Sequence, residues 1–304
     1  MGQKANSNLL RLGISKNEWK SKYIEQNSEE LSLLVFQDIK IKEFITRFFE
    51  LNGIIISEIN IDRSSNTIII YVSYFVSLDS IQKIHNNFHD KNKLNFFSFS
   101  SKKNRNYYLY LFKEKKLKKI FFNKKRLLIK NFLEKIISVI NKYLRKNYNI
   151  KIISQILNKN LTTRLNNAES IEFRKLIINL KFYKKASFFK EFINIIVLLC
   201  KKKNSSNILI KFIGLKLRNM KKHNYFINFI KKSLNYFINS KISNIDGLKI
   251  ILKGRLNGSP RYKKKILQIG KVSLQSLNSN VVYNEFVTFS NNGTIGLKLW
   301  VSES

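Results

Sequence analysis

Gly254-Arg255-Leu256-Asn257-Gly258-Ser259-Pro260-Arg261-Tyr262-Lys263-Lys264-Lys265 is the stretch of this 304-residue chain that predicts how its carboxy-terminal part folds. Apolar residues alternate with other types on both sides of it, at Leu248, Ile250 and Leu252, then less regularly at Val282, Phe286 and Phe289, and finally at Ile295, Leu297, Leu299 and Val301. Such alternation is typical of short strands with one buried face. The opposite face of this small sheet would then carry Lys249, Lys253 and Lys298.

The glycines of this region fall between the predicted strands, where a turn needs a positive φ or a backbone must approach closely. The basic residues around them would therefore lie on or beside turns, within reach of phosphate groups. We expect a nucleic-acid-binding surface formed by Arg255, Arg261, Lys263, Lys264 and Lys265.

The overall charge also indicates a polyanionic partner. The chain has 57 Lys and Arg residues against 19 Asp and Glu residues, which gives a formal charge of +38. Self-repulsion of this size opposes compaction unless a polyanion neutralises it. Nucleic acid is the first candidate, and the alternative is a peripheral protein that lays basic amphipathic helices from 113–203 on an anionic membrane surface.

The sequence predicts neither an enzyme nor a metal or cofactor protein. A single cysteine, Cys200, excludes a cysteine-based metal site and is expected to be a buried small hydrophobe. His85 and His89 have the spacing of helical zinc ligands, but no cysteine or catalytic glutamate accompanies them. An organellar intron nuclease is disfavoured, because no paired acidic metal motif is present.

The motifs at the two ends of the chain resemble the small-ribosomal-subunit protein three family. The carboxy-terminal ones are Gly254-Arg255-Leu256, Ile269-Gly270-Lys271-Val272 and the closing Gly293-Thr294-Ile295-Gly296-Leu297-Lys298-Leu299-Trp300, and the amino-terminal ones are Met1-Gly2-Gln3-Lys4-Ala5-Asn6, Arg11-Leu12-Gly13-Ile14 and Trp19. The form with Asn257 to Arg261 and a lysine-rich insertion is most similar to the version encoded in protist mitochondrial genomes.

This resemblance implies a structural protein of the mitochondrial small ribosomal subunit, in the mitochondrial matrix, with a plastid disfavoured. Its partners would be rRNA in the subunit head, neighbouring head proteins and mRNA at the entry channel. The expected rRNA-binding residues are Lys4, Arg11, Arg255, Arg261, Lys263, Lys264, Lys265, Lys271 and Lys298.

The resemblance also implies a role for four lysines, here called the entry lysines: Lys221, Lys222, Lys231 and Lys232. In the family, basic residues at the start and middle of the corresponding helix line the mRNA entry channel. An ordinary helix that faces rRNA or solvent is an equally good interpretation, since phosphate contacts carry affinity without specificity.

The predicted fold class is α+β, with four regions. Residues 1–27 would form an extended basic arm that lies on RNA, 28–112 a type II KH-like domain, 113–204 a lysine-rich helical insertion that contacts rRNA or protein, and 205–304 a domain of two helices and four strands. In the second region Asp38 is a predicted N-cap, Asn52-Gly53 a helix end, and 54–62 and 67–75 are strands. The GxxG loop by which KH domains clamp RNA is absent between these strands and residue 112, which favours a scaffold role.

Overall fold

The computed structural model of this chain describes residues 5–14, 20–23, 25, 27, 29–64, 66–77, 80, 132–144, 148–157, 167–201, 205–240 and 242–303. These residues form two four-stranded sheets with helices packed against them. The predicted α+β class is therefore confirmed. Within the described residues, no helix combines the length and the apolar character needed to cross a bilayer.

The first sheet has the strand order β1 (Ser21–Lys22), β2 (Ile54–Arg63), β3 (Thr67–Val76) and β4 (Asn149–Ile156). β2 and β3 are antiparallel, whereas β1 and β4 run parallel to the strands beside them. The two strands predicted from alternation, 54–62 and 67–75, are confirmed to within one residue.

A long helix, α2 (Glu30–Leu51), covers the first sheet, and its course corrects one prediction. Asp38 lies inside the helix and is 2% exposed. Its Oδ1 accepts a 2.6 Å hydrogen bond from Arg63 Nε of β2. The N-cap prediction is wrong because this carboxylate is used in a buried ion pair, whereas the predicted helix end at Asn52-Gly53 is confirmed by the positive φ of Gly53, 74°.

The core of the first sheet includes residues from far along the chain. Helix α3, residues 132–144, packs against α2 through its apolar positions, and the ring centroids of Phe49 and Phe132 are 5.1 Å apart. β4 then completes the sheet beside β3. The structure thus differs from the predicted boundaries, because 132–157 belongs to the first sheet and its core.

The second sheet has the order β6 (Lys263–Gly270), β5 (Ile245–Gly254), β8 (Gly293–Glu303) and β7 (Asn280–Ser290), all antiparallel. The helices that precede it are α4 (Asn167–Asn179), α5 (Phe189–Lys201), α6 (Ser206–Asn219) and α7 (Asn224–Ile238), with a short 3-10 turn at Lys181–Tyr183. The two predicted helices of 205–304 correspond to α6 and α7, and both bury an apolar face: Leu209, Phe212, Ile213, Leu217, Phe226, Phe229, Ile230 and Phe237. Cys200 is buried as predicted, and burial raises the pKa of its thiol to about 12.

Helix α5 belongs to the same core, although the sequence placed it in the insertion. Phe192 and Ile195 are fully buried among the residues of α6, α7 and the second sheet. The described part of the expected insertion is therefore divided, with 132–157 in the first core and 167–201 against the second.

Helix α6 joins the two sheets. Lys211 Nζ donates a 3.1 Å hydrogen bond to the Ile56 carbonyl of β2, beside an irregularity in the β2–β3 register, and desolvation lowers the pKa of this lysine. On the other side, a Cβ atom at Gly214 would lie 2.6 Å from side-chain atoms of Phe286 and Thr288. Glycine thus permits the close packing of α6 on β7.

The described parts of the amino-terminal segment lie on protein. Helix α1 (Ser7–Leu10) packs on β7, where the Asn8 side chain accepts from Tyr283 N–H and donates to Tyr283 C=O, both at 2.7 Å. β1 pairs with Ile61 and Asp62 of β2. These contacts differ from the predicted arm on RNA and connect the segment to both sheets.

Several predictions fall outside the described residues. They concern Lys4, His85 and His89, as well as most of the stretch up to residue 112 from which the KH clamp is absent.

Candidate nucleic-acid interface

The basic hairpin, residues 254–265, connects β5 to β6 at one end of the second sheet. Gly254 has a φ of 146°, and a Cβ atom there would lie 2.5 Å from the Thr294 carbonyl oxygen. The side chain of Leu256 is fully buried and anchors the loop to the core. Arg255 and Arg261 are exposed on either side of this anchor, so both guanidinium groups face solvent as expected for phosphate contacts.

The hairpin is locked to the turn between α6 and α7 by a pair of reciprocal hydrogen bonds. His223 N–H donates to Asn257 Oδ1 at 2.6 Å, and Asn257 N–H donates to His223 Nδ1 at 3.1 Å. Since a backbone N–H can only donate, Nδ1 is an acceptor and the ring proton resides on Nε2. Nε2 then donates to the Met220 carbonyl at 3.0 Å, which makes His223 a neutral, 3% exposed bridge.

Asn224, the first residue of α7, extends this lock to a lysine of the hairpin. Its Oδ1 accepts from Asn257 Nδ2 at 2.8 Å and from Lys265 Nζ at 2.6 Å. Asn257 has a φ of 58°, a conformation that asparagine tolerates better than most residues. The lock thus brings exposed Lys221 and Lys222 to the same end of the molecule as the basic hairpin.

The entry lysines occupy two different settings. Helix α7 begins at Asn224, so Lys221 and Lys222 lie in the turn before it. This corrects the expectation that all four lysines lie on the helix. Lys231 and Lys232 are exposed on α7, opposite its buried aromatic residues. All four ammonium groups can therefore approach an anion from solvent.

The solvent face of the second sheet carries the remaining predicted lysines. Lys253 of β5 and Lys264 of β6 are directly opposite each other in register. Lys298 is paired with Glu285 across the β7–β8 ladder, and exposed Lys271 follows β6. Like charges placed directly opposite destabilise a sheet, so the Lys253–Lys264 pair favours a bound anion.

Arg11 is used inside the protein. It is 1% exposed, and its guanidinium donates to the carbonyl oxygens of Ser279 at 2.9 Å, Leu274 at 3.1 Å and Ser276 at 2.8 Å. It thereby organises the loop between β6 and β7. This geometry does not support the expected rRNA contact.

Sequence reasoning missed His223, Asn224 and Asn257 as residues that position the interface. The nearest signal was Asn257-Gly258, a pair that often occupies positive φ. The distant partner, His223, had no local signal.

Comparison with known proteins extends the motifs to the whole chain. Small ribosomal subunit protein uS3c of Euglena longa is 25% identical over 304 residues, which cover all of both chains. The uS3c protein of Chara vulgaris is 34% identical over 94 residues, covering 31% of this chain and 40% of that protein. Protein uS3 of Mycoplasmoides gallisepticum is 35% identical over 72 residues, covering 24% and 26% respectively.

No protein-family model matches the chain. The full-length similarity and the shorter, stronger matches nevertheless name the same protein in plastids and in bacteria. The relatives, taken together, support small ribosomal subunit protein uS3 as the family that this chain is similar to.

Proposed function

We propose that this chain is a structural, RNA-binding constituent of an organellar small ribosomal subunit, located in the subunit head near the mRNA entry channel. The observation that carries the proposal is the in-register pair Lys253–Lys264 next to the exposed basic hairpin. An unneutralised lysine face is a cost to the fold, and rRNA phosphates would remove that cost. The uS3 relatives support a ribosomal setting.

The mechanism of attachment is electrostatic. Each ammonium or guanidinium group that meets a phosphate releases a counterion, so log K falls by about 0.7–0.9 for each contact per unit of log salt concentration. The proposed rRNA contacts are Arg255, Arg261, Lys263, Lys264, Lys265, Lys271 and Lys298, while Lys4 stays a prediction from the resemblance. Lys265 also donates to Asn224, and this bond presets the direction of its side chain.

The entry lysines are proposed to contact the message. Lys221 and Lys222 stand at the amino-terminal end of α7, where the helix dipole adds a partial positive charge. They are held beside the rRNA-binding hairpin by the His223–Asn257 lock. The first sheet is proposed to act as a KH-like scaffold without a glycine clamp.

The compartment is part of the proposal. A protist mitochondrion was expected from the Asn257 to Arg261 form and the lysine-rich insertion, whereas the Euglena and Chara relatives are uS3c proteins of plastids. Both organelles contain ribosomes, and fractionation of the source cells separates the two assignments.

The experiment is sucrose-gradient sedimentation of lysates from purified mitochondria and purified plastids, at low and moderate salt. We expect the chain to comigrate with small-subunit rRNA of one organelle and to remain there at moderate salt. The double variant Arg261→Glu/Lys263→Glu should shift to the top of the gradient. The control Lys142→Glu/Lys151→Glu changes the net charge equally on exposed positions of α3 and β4 and should comigrate like the wild type.

Recovery with membranes, or free wild-type protein at the top of the gradient, would contradict the proposal. If both double variants are incorporated equally, the chain would still be assigned to the ribosome, but the basic hairpin would be rejected as its attachment site.

A further inference from the structure

Two aromatic side chains lie exposed beside each other where the 3-10 turn Lys181–Tyr183 meets the start of α7. Phe182 is 78% exposed and Tyr225 is 45% exposed. Their ring centroids are 6.2 Å apart with an interplanar angle of 57°. Single exposed apolar residues are ordinary on protein surfaces, but a neighbouring pair of rings points to a ligand. We call this pair the aromatic platform.

The aromatic platform rests on buried rings that hold it in place. Tyr183, 6% exposed, has its ring centroid 5.2 Å from that of Phe182 in an edge-on contact and 5.0 Å from that of Tyr225. Tyr183 and Phe188 both contact Phe229 of the core. The backbone of the turn is closed by hydrogen bonds from Tyr183 N–H to Leu180 C=O and from Lys184 N–H to Lys181 C=O. A surface fixed in this way loses little conformational entropy when a ligand stacks on it.

Lysines surround the aromatic platform on two elements. Lys181, Lys184 and Lys185 are exposed on or just after the 3-10 turn, and Lys221 and Lys222 are exposed just before α7. Among the residues that the structure describes, no carboxylate forms a salt bridge with any of these five lysines. Exposed rings bordered by unpaired cations match single-stranded nucleic acid, whose bases stack on aromatic faces while its phosphates meet positive charge.

We propose that Phe182 and Tyr225 bind single-stranded RNA by stacking on its bases, with the neighbouring lysines on its phosphates. This inference rests on the proposed RNA-binding function and adds a ligand class and a site that the family motifs do not contain. Lys221 and Lys222 belong both to the site and to the entry lysines, so the strand bound here would lie beside the proposed message path. Stacking tolerates every base, and the site is therefore expected to lack sequence preference.

The test measures equilibrium binding of the purified full chain to a 12-nucleotide oligouridylate and to an abasic oligomer with the same number of phosphates. Phe182→Ala should weaken oligouridylate binding about tenfold, as expected for the loss of one stacked base. Binding to the abasic oligomer should not change, because the phosphate contacts remain. Phe182→Trp should restore the affinity, and Tyr225→Leu should reduce it while keeping an apolar side chain on the buried rings.

Phe289→Ala is the matched control, because Phe289 is also an exposed phenylalanine, 70% accessible, but lies on β7. It should bind both oligomers as the wild type does. Thermal unfolding of each variant verifies that the fold is kept.

The inference is overturned if Phe182→Ala binds oligouridylate as the wild type does, or weakens binding to both oligomers equally. It is also overturned if the variant loses binding to phosphatidylserine vesicles and keeps its affinity for RNA, which would assign the rings to a lipid surface. In each of these cases, salt-dependent binding of the wild-type chain to the abasic oligomer would still support the proposed RNA-binding function. A wild-type chain that binds neither oligomer, nor a small-subunit rRNA fragment, contradicts both.

Discussion

Arg63 of the first sheet, β1–β4, and the pair Lys253–Lys264 of the second sheet, β5–β8, have opposite surroundings. Arg63 of β2 is buried, with its Nε 2.6 Å from Asp38 Oδ1 and its Nη1 3.0 Å from Gln37 Oε1. Lys253 and Lys264 of the second sheet face each other on the solvent side. The first arrangement pairs a charge inside the fold, whereas the second is proposed to take an anion from outside. Arg63 thus contributes to stability, and Lys253 and Lys264 are proposed to contribute to binding.

Removal of the internal partner of Arg63 is expected to have the largest effect. Asp38→Ala leaves the Arg63 guanidinium buried without its carboxylate, and we expect the free energy of unfolding to fall by about 3–5 kcal/mol. Urea denaturation measures the change. RNA affinity of the folded fraction should stay close to that of the wild type, since the pair lies in the first sheet.

The control for this prediction is the exposed pair Lys40–Glu43, whose nitrogen and oxygen are 3.2 Å apart. Glu43→Ala should cost less than about 1 kcal/mol, because solvent screens such pairs. A similar loss for Glu43→Ala and Asp38→Ala would show that burial does not distinguish the two.

A neutral polar contact provides the intermediate case. His223→Ala removes the acceptor of Asn257 N–H and the donor to Met220 C=O, so we expect a loss of about 1–3 kcal/mol in unfolding free energy. Amide hydrogen exchange of Asn257 should accelerate at the same time. His223→Gln, which retains both an acceptor and a donor, should lose less, and an equal loss in the two variants would reject the hydrogen-bonded lock.

The smallest effect on stability is expected at the solvent face of the second sheet. Lys253→Ala/Lys264→Ala removes a repulsive pair and should leave the free energy of unfolding unchanged or raise it by about 0.2–1 kcal/mol. The same variant should weaken RNA binding and reduce the slope of log K against log salt by about 1.4–1.8, the amount expected for two phosphate contacts. Binding titrations at several salt concentrations measure this slope.

Lys142→Ala/Lys151→Ala removes two exposed lysines from α3 and β4 and serves as the control, with a slope close to that of the wild type. If both double variants reduce the slope equally, RNA binding follows total charge and the sheets do not differ in the way proposed.

Local patterns in the sequence predicted the elements well. The alternation at Leu248, Ile250 and Leu252 corresponds to buried positions of β5, and the same pattern holds at Ile295 to Val301 of β8. Phe289 is the exception in β7, because it lies on the solvent face while Phe286 packs against α6. Alternation depends only on neighbouring residues, which explains why it could be detected without the fold.

The failures arose where distant residues decide the structure. Asp38 has a side chain suited to an N-cap, but Arg63 lies within reach only after β2 folds against α2. Arg11 looked like a phosphate contact, yet it is used by carbonyl groups of the 274–279 loop. β4 pairs with β3 although the two strands are far apart in sequence, so no compositional boundary near residue 113 could reveal their connection.

The contact between Asn8 and Tyr283 determines when, during synthesis, the amino-terminal segment can fold against the rest of the chain. The two residues are separated by 275 positions, so at a synthesis rate of 5–20 residues per second Asn8 leaves the ribosome roughly 15–55 s before its partner. During this interval α1 has no surface on which to dock, and the edge of the second sheet does not yet exist. β7 joins the sheet through β8, so α1 is expected to dock on a complete edge only after β8 has been made, and a nascent protein interrupted before residue 280 would still expose the amino-terminal segment.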